Sequence, residues 1–279
     1  MEGETIMSTN LGTMPNSVQD DLSEAYLAWS RSEHAPVNTI QSRARVFRTL
    51  PNAGTATREE VEAWWLTRSH LAPATRALDV GTLRSFYKWC RRWEYRDDDP
   101  TLRIDAPHVD PGLPRPMSRA DLHKALDSMP PHLRRAVCLG AYAGLRVSEA
   151  ARLDWSDIDL ESRTIRVMHS KGNKSRLIPM SSVLFNELLP VTGGNVVMGG
   201  GEPYAPDSLT RRMHLAFRGL GITATFHTLR HRYGTLAYKA SGDILAVSRL
   251  MGHANINTTK VYAAANDEVA AMIADAVSA

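Results

Sequence analysis

Apolar side chains recur every three or four residues over most of this chain, which is the pattern of amphipathic helices. In the first third the period predicts four helices: near residues 18–30, near 38–50, after Thr57, and near 74–93. Thr57 and Glu60 fit a capping box, in which each side chain bonds to the other's backbone N–H group. In the fourth helix, Leu83, Tyr87 and Cys90 fall on one face, which we expect to face a core.

A period of two appears in the second half of the chain. Residues 164–168 and 176–180 alternate around a Gly-Asn tip, which predicts a β-hairpin. Ser118 fits a helix cap, and the Gly-rich stretch 193–201 is expected to be a flexible loop. Further helices are predicted near residues 182–189, 206–218, 228–239, 243–251 and 256–264, with an Ala-rich helix at the end. The predicted fold class is mainly α with a small β-hairpin or sheet.

Composition divides the 279 residues into four parts, and this length suits two domains. Residues 1–16 are polar and predict a flexible tail, and residues 17–96 predict a helical domain. Residues 97–116 are dense in Asp and Pro, which disfavour helix, and predict an interdomain linker. Residues 117–279 then form a second, α+β domain.

Several classes of protein are disfavoured by the composition. Hydrophobic residues make up 43% of the chain, which argues against global disorder. Two cysteines, Cys90 and Cys138, are too few for a disulfide framework and favour a reducing compartment. The first residues lack an apolar signal core and no apolar run reaches eighteen residues, so we expect a cytoplasmic protein with no membrane partner.

The formal charge of +3 neither requires nor excludes a polyanionic partner, so the location of the basic residues matters more. They concentrate on two of the predicted helices. The second helix carries Arg43, Arg45 and Arg48, and the fourth carries Arg84, Lys88, Arg91 and Arg92. A single basic face is most simply a solvated one. Two such helices near each other favour a bundle that faces DNA, because Lys and Arg neutralise phosphates.

Two short motifs carry residues suited to chemistry on a phosphate. Arg146 follows a Gly-Leu turn, where it either forms an ion pair with Glu149 or belongs to an anion site. His227 and Arg230 share a helix face, which is either a polar surface or a proton-transfer group beside a phosphate-binding fork. His231 lies four residues after His227, but the metalloprotease pattern requires Glu where Thr228 stands. We therefore predict no metal site.

Three other residues are ambiguous when each is taken alone. His253 follows Gly252 and is typical of a helix C-terminal cap. Tyr262 is typical of a half-buried core residue, and Lys171 of a solvated turn at a hairpin tip.

All these residues together, in this order and context, resemble the tyrosine recombinase family, which includes phage integrases and Xer-type recombinases. The resemblance covers Ser118 to the end of the chain, and before the linker it extends to the layout of the family's core-binding domain. Met251 stands where the family pattern has Leu, a departure that keeps size and polarity. The matching boxes are Gly144–Glu149, Ser170–Arg176, His227–His231, Met251–His253 and Thr259–Tyr262.

The resemblance implies a role for each matched residue, and ordinary chemistry is consistent with these roles. Tyr262 is the expected nucleophile, Arg146 and Arg230 the clamp on the nonbridging oxygens, and Lys171 the general acid, with Lys174 the next candidate. His253 would donate a further hydrogen bond and His227 would help to take the phenol proton. No cofactor is expected, and no carboxylate cluster for magnesium is evident.

The resemblance also implies a function and partners. We expect a simple-type integrase that acts on core attachment sites of double-stranded DNA through a 3′-phosphotyrosine, and so integrates or excises mobile DNA. It would be a homotetramer on DNA, a monomer in solution, and a partner of a directionality factor. The alternatives are an Xer-like resolvase of replicon dimers, a type IB topoisomerase, a catalytically silent DNA-binding protein and a histidine-based metallohydrolase. An apolar stripe at the end of the chain would dock on a neighbouring protomer or cover its own domain: Val269, Met272, Ile273, Ala276 and Val277.

Overall fold

The computed structural model describes residues 22–110, 112–168, 175–190, 193–253 and 259. The chain divides into two compact units, Met1–Asp110 and Pro111–Ala279. The expected tail of residues 1–16, the helices expected after residue 255 and the apolar stripe at the end of the chain lie outside the described residues. Within the described ranges, no helix is long and apolar enough to cross a bilayer.

The described residues of the first unit form four helices, as the helical period predicts. They are α1 (Leu22–Ser32), α2 (Val37–Thr49), α3 (Arg58–Thr67) and α4 (Pro73–Arg92). The capping box at Thr57 and Glu60 is present, and it fixes the start of α3. The predicted inward face of α4 is confirmed, because Leu83, Tyr87 and Cys90 are all fully buried.

The segment after α4 bears on the expected linker of residues 97–116. Ile104 lies in the apolar core of the first unit, only 2% exposed. Just before it, Thr101 donates hydrogen bonds from its backbone N–H and its hydroxyl to the buried Asp99 carboxylate. The expected linker thus begins with residues packed on the helices, and it extends across the division between the two units.

The second unit is built around α6 (Pro131–Ala143), whose side chains from Ala136 to Leu139 are almost completely buried. The Ser118 hydroxyl caps α5 (Arg119–Ser128) by accepting from the Asp121 N–H group, as expected. The helices predicted near residues 182–189, 206–218, 228–239 and 243–251 are observed in that order, whereas the six-residue helix Val147–Arg152 is not among the predicted ones. The helices are α5 (Arg119–Ser128), α6 (Pro131–Ala143), α7 (Val147–Arg152), α8 (Ser182–Leu188), α9 (Pro206–Gly219), α10 (Phe226–Ser241) and α11 (Ile244–Met251).

The predicted hairpin is part of a three-stranded antiparallel sheet. Its strands are β1 (Ile158–Asp159), β2 (Thr164–Met168) and β3 (Ser175–Pro179), in the order β1-β2-β3. Strand β1 was not predicted, since two residues are too short to show a period. Ile165 pairs with Ile178 and Val167 with Arg176, which places Arg176 on the same face as three buried aliphatic side chains.

The prediction of a flexible loop over residues 193–201 is wrong. Strands β4 (Met198–Gly199) and β5 (Glu202–Pro203) form a second, two-stranded sheet. Val196 and Val197 are fully buried, and the Val196 N–H group donates to the Leu153 carbonyl at 2.9 Å. Two valines between glycines are enough to anchor the segment on the core, although its composition resembles that of a loop.

Candidate active site

The site begins at the sharp turn between α6 and α7. Gly144 ends α6 with φ +64°, in the left-handed region that glycine adopts without steric cost. A Cβ atom at this position would overlap the Tyr233 ring of α10, with Cγ and Cε1 only 2.9 Å away. The Gly144 carbonyl accepts a hydrogen bond from Arg230 Nη1, also on α10. The turn that follows α6 is therefore in direct contact with the middle of α10.

Glu149, on the first turn of α7, organises the arginines around it. Its carboxylate accepts from Arg146 Nη1 at 3.0 Å and from the Arg146 backbone N–H at 2.8 Å. Arg176 of β3 donates from Nη1 and Nη2 to the two carboxylate oxygens at 2.9 and 2.8 Å. Burial raises the pKa of Glu149, but the contacts with Arg176 and Arg146 outweigh it and hold that pKa at about 2. The residue is a carboxylate at neutral pH.

The ion pair of Arg146 with Glu149, which the sequence offers as an alternative to an anion site, is therefore present. Nη1 of Arg146 forms this ion pair, which leaves Nη2 for another acceptor. Arg146 Nη2 donates to the Gly252 carbonyl at 2.9 Å, 106 residues away in the chain. The side chain remains 39% exposed, so a phosphate can still approach it.

Arg230 is buried far more deeply than Arg146, with 2% of its side chain exposed. It donates to the Gly144 carbonyl and, from Nη2, to the Met251 carbonyl at 2.6 Å. Its Nη1 also lies 3.9 Å from the Glu149 carboxylate. A buried guanidinium is stable only with such partners, and they fix its orientation.

His253 follows directly after the helix end that receives these arginines. Its Nδ1 lies 2.7 Å from the Thr259 hydroxyl, and its backbone N–H donates to the Ser248 carbonyl at 3.0 Å. Burial, followed by the charges of Arg230 and Arg146, lowers the pKa of His253 to about 4. The imidazole is therefore neutral at pH 7, with Nε2 as its second hydrogen-bonding atom.

His227 and His231, on the first turns of α10, contact each other edge to face with ring centroids 4.3 Å apart. Partial burial and then the charges of Arg230 and Arg146 lower the pKa of His227. Burial, His227 and Arg230 lower the pKa of His231 to about 4. Among the described side chains, no three His, Cys, Asp or Glu residues form a group that could hold a metal ion.

The structure thus brings together four of the six expected catalytic residues, namely Arg146, His227, Arg230 and His253. Lys171, its alternative Lys174 and Tyr262 lie outside the described residues. One residue of this cluster, Arg176, was not proposed as a site residue from the sequence. The sequence feature that could identify Arg176 is the period of two, which places an arginine on the inward face of β3 beside the buried Ile178.

Four of the seven basic residues expected to face DNA have partners within the first unit. Arg45 pairs with the fully buried Asp79 at 2.6 Å, and Arg43 donates to the Ser30 hydroxyl. Arg84 donates to the Ile104 carbonyl, and Arg91 lies 3.8 Å from Asp99. Arg48, Lys88 and Arg92 are exposed on the surfaces of α2 and α4. The buried Asp79 shows that part of this positive charge stabilises the bundle itself.

Comparison with known proteins agrees with this geometry. The family model described as "Phage integrase family" matches residues 117–269. The tyrosine recombinase XerC of Shewanella amazonensis is 31% identical over 215 residues, which cover 71% of this chain and 72% of the relative. The tyrosine recombinase XerD of Pseudomonas aeruginosa is 31% identical over 223 residues, covering 72% and 74%.

Two solved structures share the fold at 18% sequence identity. A lambda integrase dimer bound to a core site has a TM-score of 0.71 and covers 85% of this chain and 96% of its own. The Tn1549 transposon integrase in complex with transposon right end DNA has a TM-score of 0.73 and covers 92% and 99%. The family model and the relatives together show that this chain belongs to the phage integrase family of tyrosine recombinases, enzymes that cleave and rejoin DNA.

Proposed function

We propose that this chain is a site-specific recombinase that cleaves DNA with Tyr262 and holds the cut end as a 3′-phosphotyrosine. One observation carries the proposal: Arg146 and Arg230, from separate segments, donate to adjacent carbonyls, Gly252 and Met251, directly before His253. Two planar guanidinium groups and a neutral imidazole at one place suit a phosphodiester whose negative charge grows during attack.

The proposed reaction is a transesterification. The Tyr262 oxygen attacks phosphorus while the bond from phosphorus to the 5′ oxygen breaks. Lys171 gives a proton to the leaving 5′ oxygen, and the phenol proton passes towards His227, which its lowered pKa keeps neutral. The phosphotyrosyl bond retains the energy of the phosphodiester. Attack by another 5′ hydroxyl can therefore rejoin the strands without ATP.

The biological role that we propose is integration or excision of mobile DNA at core attachment sites. By analogy with solved lambda integrase complexes, which include a dimer on a core site and a tetramer on a Holliday junction, the subunits would assemble on DNA as a tetramer. A directionality factor would bias the reaction towards integration or excision. A second role, resolution of replicon dimers, is supported by the relatives named XerC and XerD.

Covalent capture tests both the proposed cleavage of DNA and the proposed biological role. The protein is incubated with fragmented genomic DNA from its source, covalent complexes are precipitated with detergent and potassium, and the bound fragments are sequenced. An integrase should capture the two ends of a mobile element and their insertion site, whereas a resolvase should capture one site per replicon. Relaxation of supercoiled DNA without any preferred site would instead indicate topoisomerase activity.

The captured site is then prepared with a nick that lets the cleaved end diffuse away, so that the covalent adduct accumulates. Wild-type protein should form the adduct on a denaturing gel. The matched control, Tyr262→Phe, lacks one hydroxyl and should bind the same DNA without forming it. An adduct that persists in Tyr262→Phe would show that another residue is the nucleophile.

A further inference from the structure

Three arginines meet at the C-terminal end of α11, each from a different element. Arg176 of β3 donates from Nε to the Leu250 carbonyl at 2.8 Å. Arg230 of α10 donates to the next carbonyl, Met251, and Arg146 to the one after, Gly252. The last carbonyls of a helix have no partner within the helix and carry its partial negative charge, so they suit guanidinium groups.

Arg176 differs from the other two arginines in its contact with Glu149. It forms the two-pronged pair with the carboxylate, at 2.9 and 2.8 Å, and its side chain is 8% exposed. The same carboxylate lies 3.0 Å from Arg146 and 3.9 Å from Arg230. In a partly buried site such short distances give strong interactions, so one negative charge offsets much of the field of its neighbours.

We propose that Arg176 is a positioning residue whose charge balances Glu149, so that Arg146 and Arg230 keep a net double positive charge for the scissile phosphate. The inference rests on the proposed function, in which these two arginines bind that phosphate. Three guanidinium groups and one carboxylate carry a net charge of +2. Without Arg176, the other three groups carry +1, and Glu149 holds Arg146 as a neutral pair.

Strand β3 gives the arrangement a second consequence. Arg176 belongs to the same strand pair as the hairpin tip, two residues after the position of Lys174. Its bonds to Glu149 and to the Leu250 carbonyl therefore tie the base of the hairpin to the arginine cluster. Loss of Arg176 would loosen this attachment as well as alter the charge, and the test must separate the two effects.

The test is a charge-balance cycle. The rate of adduct formation is measured in single turnover on the nicked substrate at saturating protein for Arg176→Gln, Glu149→Gln and the double variant. Arg176→Gln should be slower than wild type by about 10- to 100-fold, less than the loss for a group that contacts the phosphate directly. The double variant again has a net charge of +2, and should be at least tenfold faster than Arg176→Gln alone.

Arg166→Gln is the matched control and should leave the rate of adduct formation unchanged, because Arg166 is an exposed arginine on the neighbouring strand β2. Arg176→Lys keeps the charge without the fork, and should stay within about tenfold of wild type. This variant also keeps the test informative if Arg176→Gln fails to fold, as judged by circular dichroism and thermal unfolding.

Three results would overturn the inference while leaving the proposed function intact. One is a wild-type rate of adduct formation in Arg176→Gln. Another is a double variant that is as slow as Arg176→Gln or slower. The third is a folded Arg176→Lys that forms the adduct more than a hundredfold more slowly than wild type. The last two would indicate a purely structural role for the fork. If wild-type protein forms no adduct, or Tyr262→Phe still forms one, the proposed function fails and this inference fails with it.

Discussion

The replacement Gly144→Ala tests whether the turn before Arg146 requires a left-handed glycine packed against the Tyr233 ring. Gly144 has φ +64°, and a left-handed conformation costs a residue with a Cβ atom roughly 1–2 kcal/mol. The new Cβ atom would also overlap the Tyr233 ring, meeting Cδ1 most closely and lying 2.9 Å from Cε1. These are ring atoms of a partly buried side chain, so the ring or the turn has to move.

Forced movement of this kind in a packed region typically costs about 1–3 kcal/mol. We therefore expect Gly144→Ala to lower the free energy of unfolding by roughly 2–5 kcal/mol. Gly242 provides the matched control, since it ends α10 with φ +63° and a Cβ atom added there would meet no described neighbour within 4 Å. Gly242→Ala should show the backbone cost alone, about 1–2 kcal/mol.

The measurement is equilibrium unfolding in urea, comparing the transition of the second unit, which contains both glycines. The double variant Gly144→Ala/Tyr233→Ala removes the ring and should be less destabilised than the two single changes predict. Gly144→Ala should also slow adduct formation, because the Gly144 carbonyl holds Arg230. If Gly144→Ala and Gly242→Ala agree within about 0.5 kcal/mol, the contact with Tyr233 contributes nothing and the reasoning fails.

Three further predictions concern the chemistry of the site. Arg230→Lys should slow adduct formation by at least about 100-fold, because an ammonium cannot span the Gly144 and Met251 carbonyls; a near-normal single-turnover rate would contradict this. Lys171→Ala should be rescued by DNA with a 5′-bridging sulfur, whose thiolate leaves without a proton, whereas Arg146→Ala should not; absence of rescue would move the general acid to another residue. The pKa of His253 is lowered to about 4, so the folded state favours the neutral imidazole. The contribution of His253 to the free energy of unfolding is therefore complete above pH 6.5 and is lost as pH falls towards 4. Solvent screening limits this loss to about 1 kcal/mol, and urea unfolding of His253→Gln should vary less between pH 7 and pH 5 than that of wild type.

Local patterns were sufficient to predict most of the secondary structure. The face formed by Leu83, Tyr87 and Cys90 is buried because a helical period of 3.6 residues turns all three the same way. The capping box at Thr57 and the hairpin from Thr164 depend on residues only a few positions apart. In these elements the information that decides the structure lies within one short segment.

Partners that are distant in the chain could not be predicted in this way. The acceptors of Arg146 and Arg230 at the end of α11 are backbone carbonyls, 106 and 21 residues away, and any residue type supplies a carbonyl. Arg45 pairs with Asp79, 34 residues away, and this contact changes an expected DNA-binding residue into one that also stabilises the bundle. Motif order identified the catalytic candidates, but their hydrogen-bond partners depend on the tertiary fold.

The arginines and the histidines of this site differ in their charge. At neutral pH the positive charge comes from the arginines, because His231 and His253 have pKa values of about 4 and are neutral. Partial burial, together with the same arginines, lowers the pKa of His227. A phosphate bound between Arg146 and Arg230 would offset their field, so the basicity of His227 should rise when DNA binds. In the proposed reaction, His227 would then become a better acceptor for the phenol proton at the step that requires one, and DNA binding would in this way be linked to activation of the nucleophile.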